Sequence, residues 1–533
     1  MTAIRILLFL TPFAFGASIL GLGQDISWDL RNYHYYNPFA FLFDRLGHDV
    51  AVAHVATYYN PLLYIPFYHA VTGLPPRAVG FLLGFLPGLN AWLIYAVTRR
   101  AIDPADSAHA RWFCLALTAG AMLGMIHLAE IGTSFGDTVV SLPVLGAVLL
   151  LVRFRERLGG PLGRGVPVAL AAGALAGSAC GVKLPFAVYC VGLCVALFAL
   201  PFPFRRRFTL AFLFGVGVLA GIAATGGFWM LEMWRRFENP VFPYFNEWFR
   251  SPWGAEGSYR DERFIPRGPA MWLLFPFWFN VEPSRVGEVG FRDLRFPLIY
   301  VLLVAAAIGE GLRRMRRAKA APEGVRPPAG LTGFFITFFV VSFLLWMKLF
   351  SVYRYAVVCE YLAPLTIYFL LARLLRSPRR LRAAALAAVA FLGITLEPGH
   401  WGRRPWTEDY FDITLPPLAA ERGAIVLVTG HDPVGYLIPS FPPEARFLRI
   451  QGFVTGPSPR LNETDRLMMR AVAEHEGPLL LLYRIYEEWH ALHALEFYGL
   501  ELDRDSCQGF VPGIEPQPEH PFFLCRVCRR ATR

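Results

Sequence analysis

Charge is what this sequence has least of. Asp, Glu, Lys and Arg together make up 17% of its 533 residues, where a soluble protein carries about 25%. Hydrophobic residues reach 55% and fall in long blocks. That combination excludes a soluble fold with a greasy core and points to a polytopic membrane protein. Paired CxxC units are also missing, which excludes the common zinc sites; Cys525-Arg-Val-Cys528 stands alone. Gly215, Gly217 and Gly221 follow no strand, so they make no phosphate-binding loop and suit close helix packing instead. There is no inverted internal repeat and no low-complexity tract. The net charge of +11 comes without a nucleic-acid-binding motif or a basic–aromatic groove, so no nucleic acid is expected as a partner.

What the sequence does hold is a series of about eleven apolar segments. They lie at 4–22, 79–98, 112–129, 138–152, 166–182, 184–204, 208–231, 296–312, 331–349, 355–372 and 383–396. Several are shorter than the ~20 residues a perpendicular span needs, which implies tilted or sheltered helices. The first is longer than a signal-peptide core and lacks a clear small-residue cleavage site, so it reads as a retained span. With the N-terminus in the cytoplasm, Arg99-Arg100 with Arg111, Arg153 to Arg157, Arg205-Arg206-Arg207, Arg313 to Lys319 and Arg373 to Arg382 all fall inside. The opposite side then holds 23–78, 130–137, a turn near Lys183, 232–295, 350–354 and everything after 396. Residues 57–72 would invert this pattern if they spanned, so they read as a juxtamembrane or re-entrant helix. Residues 269–281 read as interfacial, and 320–330 as a cytoplasmic linker.

After about Glu397 the composition changes. Short β-rich runs at 424–428, 479–483 and 522–525 alternate with helical patterns at 463–476 and 485–498. The fold class is therefore a polytopic α-helical membrane domain over 1–396 followed by a small extracytoplasmic α/β domain over 397–533. On that side Cys507–Cys525 is a candidate disulfide, with Cys525–Cys528 as its rival. The cysteines in apolar segments read as small core residues. Asn462-Glu463-Thr464 fits a glycosylation sequon, a triplet that often arises by chance.

Chemistry-bearing residues collect on one side. The stretch from Gln24 to Asn37 leaves the first span with Asp25, Asp29, Arg31, Tyr33 and His34 in one short run. Asp25 and Asp29 are four apart. On a helix they would share a face, which suits a divalent cation or a base of raised pKa. The plain alternative is a helix N-cap before Leu30. His34 reads equally as a group polarising a phosphate or as a surface donor. Asp137 is a site residue or a cap of the helix entering the membrane. Lys183 and Arg354 stand beside apolar sequence with no adjacent acid, so a lipid phosphate is one source of the missing negative charge, and snorkelling is the other reading. Glu360 pairs with Arg354 or Lys348 in this reading.

This pattern resembles the GT-C superfamily of membrane glycosyltransferases, to which protein O-mannosyltransferases and the lipid A aminoarabinose transferase belong. Asp29-Leu30-Arg31-Asn32-Tyr33-His34 takes the place of the acidic motif that opens their first outer loop, with Leu30 where a second acid often stands. Asn60-Pro61-Leu62-Leu63-Tyr64 matches their later Pro-Pro-Leu-Tyr-like run, Lys183 their lysine, and Tyr353-Arg354-Tyr355 their late arginine motif. It is most similar to bacterial members carrying Trp-Asp-Leu-Arg-Asn-Tyr-His.

The resemblance implies transfer of a sugar from a polyprenyl-phosphate carrier to a glycan, lipid or protein acceptor, in a bacterial inner membrane with the C-terminal domain in the periplasm. Asp29, or Asp25, would be the base, and Asp25 is the alternative ligand of a divalent cation. Tyr33, His34, Asp137, Lys183, Tyr353 and Arg354 would contact substrate. A transporter or flippase of lipid-linked saccharide is the rival reading, and an assembly scaffold the third.

Overall fold

The computed structural model describes residues 2–102, 107–257, 259–315 and 330–530. Arg316, Arg317 and Lys319 of the predicted basic run, and 320–329 of the predicted linker, lie outside the described residues. Each predicted apolar segment overlaps a helix. Among the described residues seven helices are long and apolar enough to cross a membrane: Thr2–Leu22, Pro76–Ile102, Leu162–Val182, Phe204–Phe237, Arg295–Leu312, Leu331–Leu349 and Tyr353–Leu374. This is a helical membrane protein. The predicted segments 112–129, 138–152, 184–204 and 383–396 fall on Ala108–Met122, Asp137–Arg153, Leu184–Ala199 and Pro378–Thr395, which do not meet that standard.

The helices share one orientation of charge. Asp137 opens a helix that ends at Arg153. Lys183 ends one that begins at Leu162, just after Arg155 and Arg157. Arg354 precedes a helix with Arg373 in its last turn. So Asp137, Lys183 and Arg354 sit at the ends away from the basic clusters. The tightest helix pair is Leu162–Val182 against Phe204–Phe237. A Cβ at Gly177 would meet the Val218 carbonyl oxygen at 2.1 Å, and one at Gly221 the Ala174 carbonyl oxygen at 2.1 Å. Only glycine allows backbones that close.

The C-terminal region carries strands β3 (Ile425–Val428), β4 (Arg446–Arg449), β5 (Leu479–Arg484), β6 (Leu500–Leu502), β7 (Gln508–Phe510) and β8 (Phe522–Arg529), after β1 (Gln24–Asp25) and β2 (Arg403–Arg404), which pair with each other. The sheet order is β4-β3-β5-β8-β6, with β7 also on β8; β3 is parallel to β4 and β5, and β8 is antiparallel to β5. Alternate residues face opposite ways. Leu427, Leu481 and Cys525 pack under Met468, Ala491 and Leu495 of the two C-terminal helices. Val426, Leu480 and Leu524 face the other way, onto Ile26, Leu30, Tyr33 and Tyr36 of the first outer loop. Val50 of that loop also bonds the edge strand β4, through Phe447 O at 2.8 Å and Arg449 N at 3.0 Å. The sheet therefore takes its second covering layer from the start of the chain. Cys507 and Cys525 are joined, and Cys528 is a free, exposed thiol.

Candidate active site

Trp28-Asp29 leads into a π-helical turn, Leu30–His34, a rare geometry that recurs at functional sites. The turn sends its side chains to two places. Arg31 points to the C-terminal domain, where its Nη1 lies 2.9 Å from Glu515 Oε1. Glu515 is fully buried and also receives Arg484 at 2.7 Å and the Tyr436 hydroxyl at 2.5 Å. Asp29, Tyr33 and His34 face the helix ends instead. Asn60 fixes that approach: its side-chain amide donates to Gly181 O and Thr225 O, both at 2.9 Å, bridging the glycine-packed helix pair just above Lys183.

Four charges meet there. Asp29 Oδ2 lies 2.8 Å from Arg354 Nη1, which is 3.8 Å from Asp137 Oδ2. Asp137 Oδ1 lies 2.6 Å from Lys183 Nζ, and Lys183 also donates to Phe135 O at 3.2 Å. The Arg354 guanidinium lies 4.6 Å over the Phe135 ring and 5.1 Å over that of Tyr355. Asp137 is fully buried, and the Asp29 side chain keeps 12% exposure. Two cations and two carboxylates balance, as buried charge requires. The expectation that Lys183 and Arg354 lack an acid partner is overturned, because packing brings acids that are distant in sequence. Asp137 is no cap, since its carboxylate is committed to Lys183. Asp29 does not cap its turn either.

Asp25 has another task. It sits in β1, not on a helix face with Asp29. Its carboxylate accepts Ser27 N at 2.9 Å, Ser134 N at 2.9 Å and Ser134 Oγ at 3.0 Å. The paired-acid cation site is therefore not formed by these two residues, and among the described residues no group of three His, Cys, Asp or Glu is placed to hold a metal ion. Asp25 is a structural acceptor that orders Ser134.

Ser134 in turn fixes His34. Its oxygen lies 2.7 Å from His34 Nδ1. Ser134 has one O–H; with that proton assigned to the Asp25 carboxylate, Nδ1 of His34 is the donor to Ser134. That leaves Nε2 with a lone pair, buried and without a partner. Burial, with Lys183 and Arg354 nearby, holds His34 well below the usual imidazole range, so the ring is neutral. In that state Nε2 accepts a hydrogen bond and does not donate one. Burial pushes the Asp29 carboxyl up, Arg354 pulls it down and Glu288 pushes it up again.

Tyr353 is not brought to the cluster. Its ring packs on Phe279, Phe291 and Phe296. Its neighbour Tyr355 takes that place, beneath Lys183 and Arg354. Tyr33 is buried beside the cluster, edge-on to Tyr59 and Tyr64. Glu360 meets neither Arg354 nor Lys348 through its carboxylate. It accepts Ile126 N and His127 N, capping the short helix Met125–Glu130, while Arg295 holds its carbonyl. Sequence reasoning missed Phe135 and Tyr355 as cation platforms; an aromatic beside each charged residue was the only signal. Comparison of the chain with protein-family models, curated proteins and solved structures finds no match.

Proposed function

We propose that this chain is a membrane glycosyltransferase of the GT-C kind, moving a sugar from a polyprenyl-phosphate carrier to an acceptor hydroxyl. In this reading the helices make about eleven spans of a bacterial inner membrane, with the N-terminus cytoplasmic and the C-terminal domain periplasmic. One observation carries it: Asp29, Asp137, Lys183 and Arg354, far apart in sequence, share one buried cluster. The cluster lies at the helix ends opposite the basic loops.

The chemistry follows from those groups. Asp29 accepts the acceptor's hydroxyl proton as that oxygen attacks the anomeric carbon. The bond from that carbon to the phosphate oxygen breaks, its electron pair leaves on the phosphate, and the anomeric centre inverts. Arg354 and Lys183 hold the charge that develops on the phosphate. Before the donor binds, Arg354 is engaged with Asp29. A donor phosphate competes for that guanidinium. As Arg354 turns to the phosphate, Asp29 loses the interaction that pulls its pKa down and becomes the stronger base. Donor binding thus arms the base.

Purified protein in proteoliposomes, given labelled polyprenyl-phosphate sugar, separates the readings. Release of polyprenyl phosphate with label on an acceptor supports transfer. Label moved intact across the bilayer supports a flippase, and neither result supports a scaffold.

A further inference from the structure

A row of aromatic and imidazole rings starts beside the candidate base and crosses onto the C-terminal domain. Trp28, next to Asp29, stacks on His54 with ring centres 6.1 Å apart and planes 15° apart. Both face Phe453, at 6.5 and 4.7 Å. Phe453 lies 4.7 Å from His431, His431 5.4 Å from His490, and His490 5.1 Å from Trp489. His54 is buried, but three of the rings along the row are open: Trp28 is 38% exposed, Phe453 54% and Trp489 71%. Burial would stabilise each of them, so folding alone does not explain a connected row left open.

Polar groups are set among the rings. Glu487 is buried and accepts the His431 backbone N–H at 2.7 Å through Oε1, while Oε2 is buried without a hydrogen-bond partner. Asp432 receives Arg484 at 2.7 Å and the Tyr486 hydroxyl at 2.5 Å, and that tyrosine is half exposed. Flat apolar faces with in-plane acceptors and donors between them suit a pyranose, whose C–H face stacks and whose hydroxyls bond sideways. Aromatic rings also line membrane interfaces, but there lysine and arginine flank them, whereas here the groups among the rings are the carboxylates Glu487 and Asp432 and the imidazoles His431 and His490. The row presents more ring faces than one monosaccharide covers.

We propose that this face binds a saccharide chain, and that the chain is the acceptor, with its end at Asp29 and further sugars over Phe453 and Trp489. Its role as acceptor rests on the glycosyltransferase reading; saccharide binding does not.

The test is calorimetric titration of the full chain in nanodiscs, without donor, against linear hexasaccharides of α-1,4-glucose, β-1,4-glucose, β-1,4-N-acetylglucosamine, mannose and rhamnose. At least one hexasaccharide should bind, with Trp489→Ala and Phe453→Ala each weakening it by about tenfold or more. Trp248→Ala, exposed elsewhere on the chain, should leave it unchanged. Binding by none of the five, or binding that neither ring variant weakens, overturns the proposal. So does quenching of the Trp489 fluorescence component by spin-labelled lipid, which would make this a membrane face. Donor cleavage is measured in parallel. Trp489-dependent binding without cleavage keeps the saccharide face and removes the transferase reading; cleavage without such binding does the reverse.

Discussion

Asp29 must be ionised to accept a proton, and its environment sets when that happens. Burial and Glu288 raise its pKa, and Arg354 lowers it. Transfer should therefore rise with pH through a midpoint above the ordinary carboxylate range. Glu288→Gln removes an upward push and should move that midpoint to lower pH. Arg354→Met removes a downward pull and should move it to higher pH, while lowering the rate about 10²–10³-fold. Profiles of kcat/KM against pH for the three proteins check both signs; a midpoint unmoved in both variants would remove Asp29 from the proton transfer. Asp29, Lys183 and Arg354 were legible in the sequence because an ionisable group beside apolar sequence stands out. Their pairing was not, since Asp29 and Arg354 meet only through folding. The different fates of Asp25 and Asp29 were also hidden, because a four-residue spacing implies a shared face only on a helix, and Asp25 is in a strand.

The helix pair Leu162–Val182 and Phe204–Phe237 delivers Lys183, and its glycines are not equivalent. At Gly177 a side chain would strike the Val218 backbone, which cannot yield, whereas at Gly215 nothing lies within 4 Å. Gly177→Ala should cost about 1–3 kcal/mol by overpacking, and Gly215→Ala should leave thermal stability unchanged or higher. Melting of the two variants in detergent checks this; equal behaviour would mean that the helices pack by another face. The sequence reading grouped Gly215 with Gly217 and Gly221, and only the latter two lie in the contact. Helix positions were readable from apolar blocks. Spans were less so, because four segments form helices that fall short of the length or apolarity that marks a span on its own. Strands β6 and β7 escaped notice, being three residues each, and so did β4, which is no shorter than β3 but has arginine at both ends.

The first outer loop and the C-terminal domain form one layered unit, which no local pattern announces, since its two layers lie at opposite ends of the chain. Arg31 and Glu515 join them at 2.9 Å, both buried. Glu515→Ala leaves Arg31 and Arg484 short of a counter-charge and should cost about 3–5 kcal/mol. It should also speed proteolysis within 23–58, read by limited digestion, although Glu515 lies outside the charge cluster. An unchanged digestion pattern would mean that the loop holds its shape without the domain. The Cys507–Cys525 bond closes a short loop, 18 residues apart in sequence. Replacing both with serine should cost about 2–4 kcal/mol, seen as an earlier melt of the C-terminal domain.

All of this turns on whether the charge cluster performs the transfer. Reconstituted wild-type protein and Asp29→Asn, each saturated with labelled polyprenyl-phosphate sugar and acceptor, give the most direct answer. The wild type should release polyprenyl phosphate, and Asp29→Asn should bind the donor yet form polyprenyl phosphate about 10²–10⁴-fold more slowly. Release by Asp29→Asn at the wild-type rate would contradict the account.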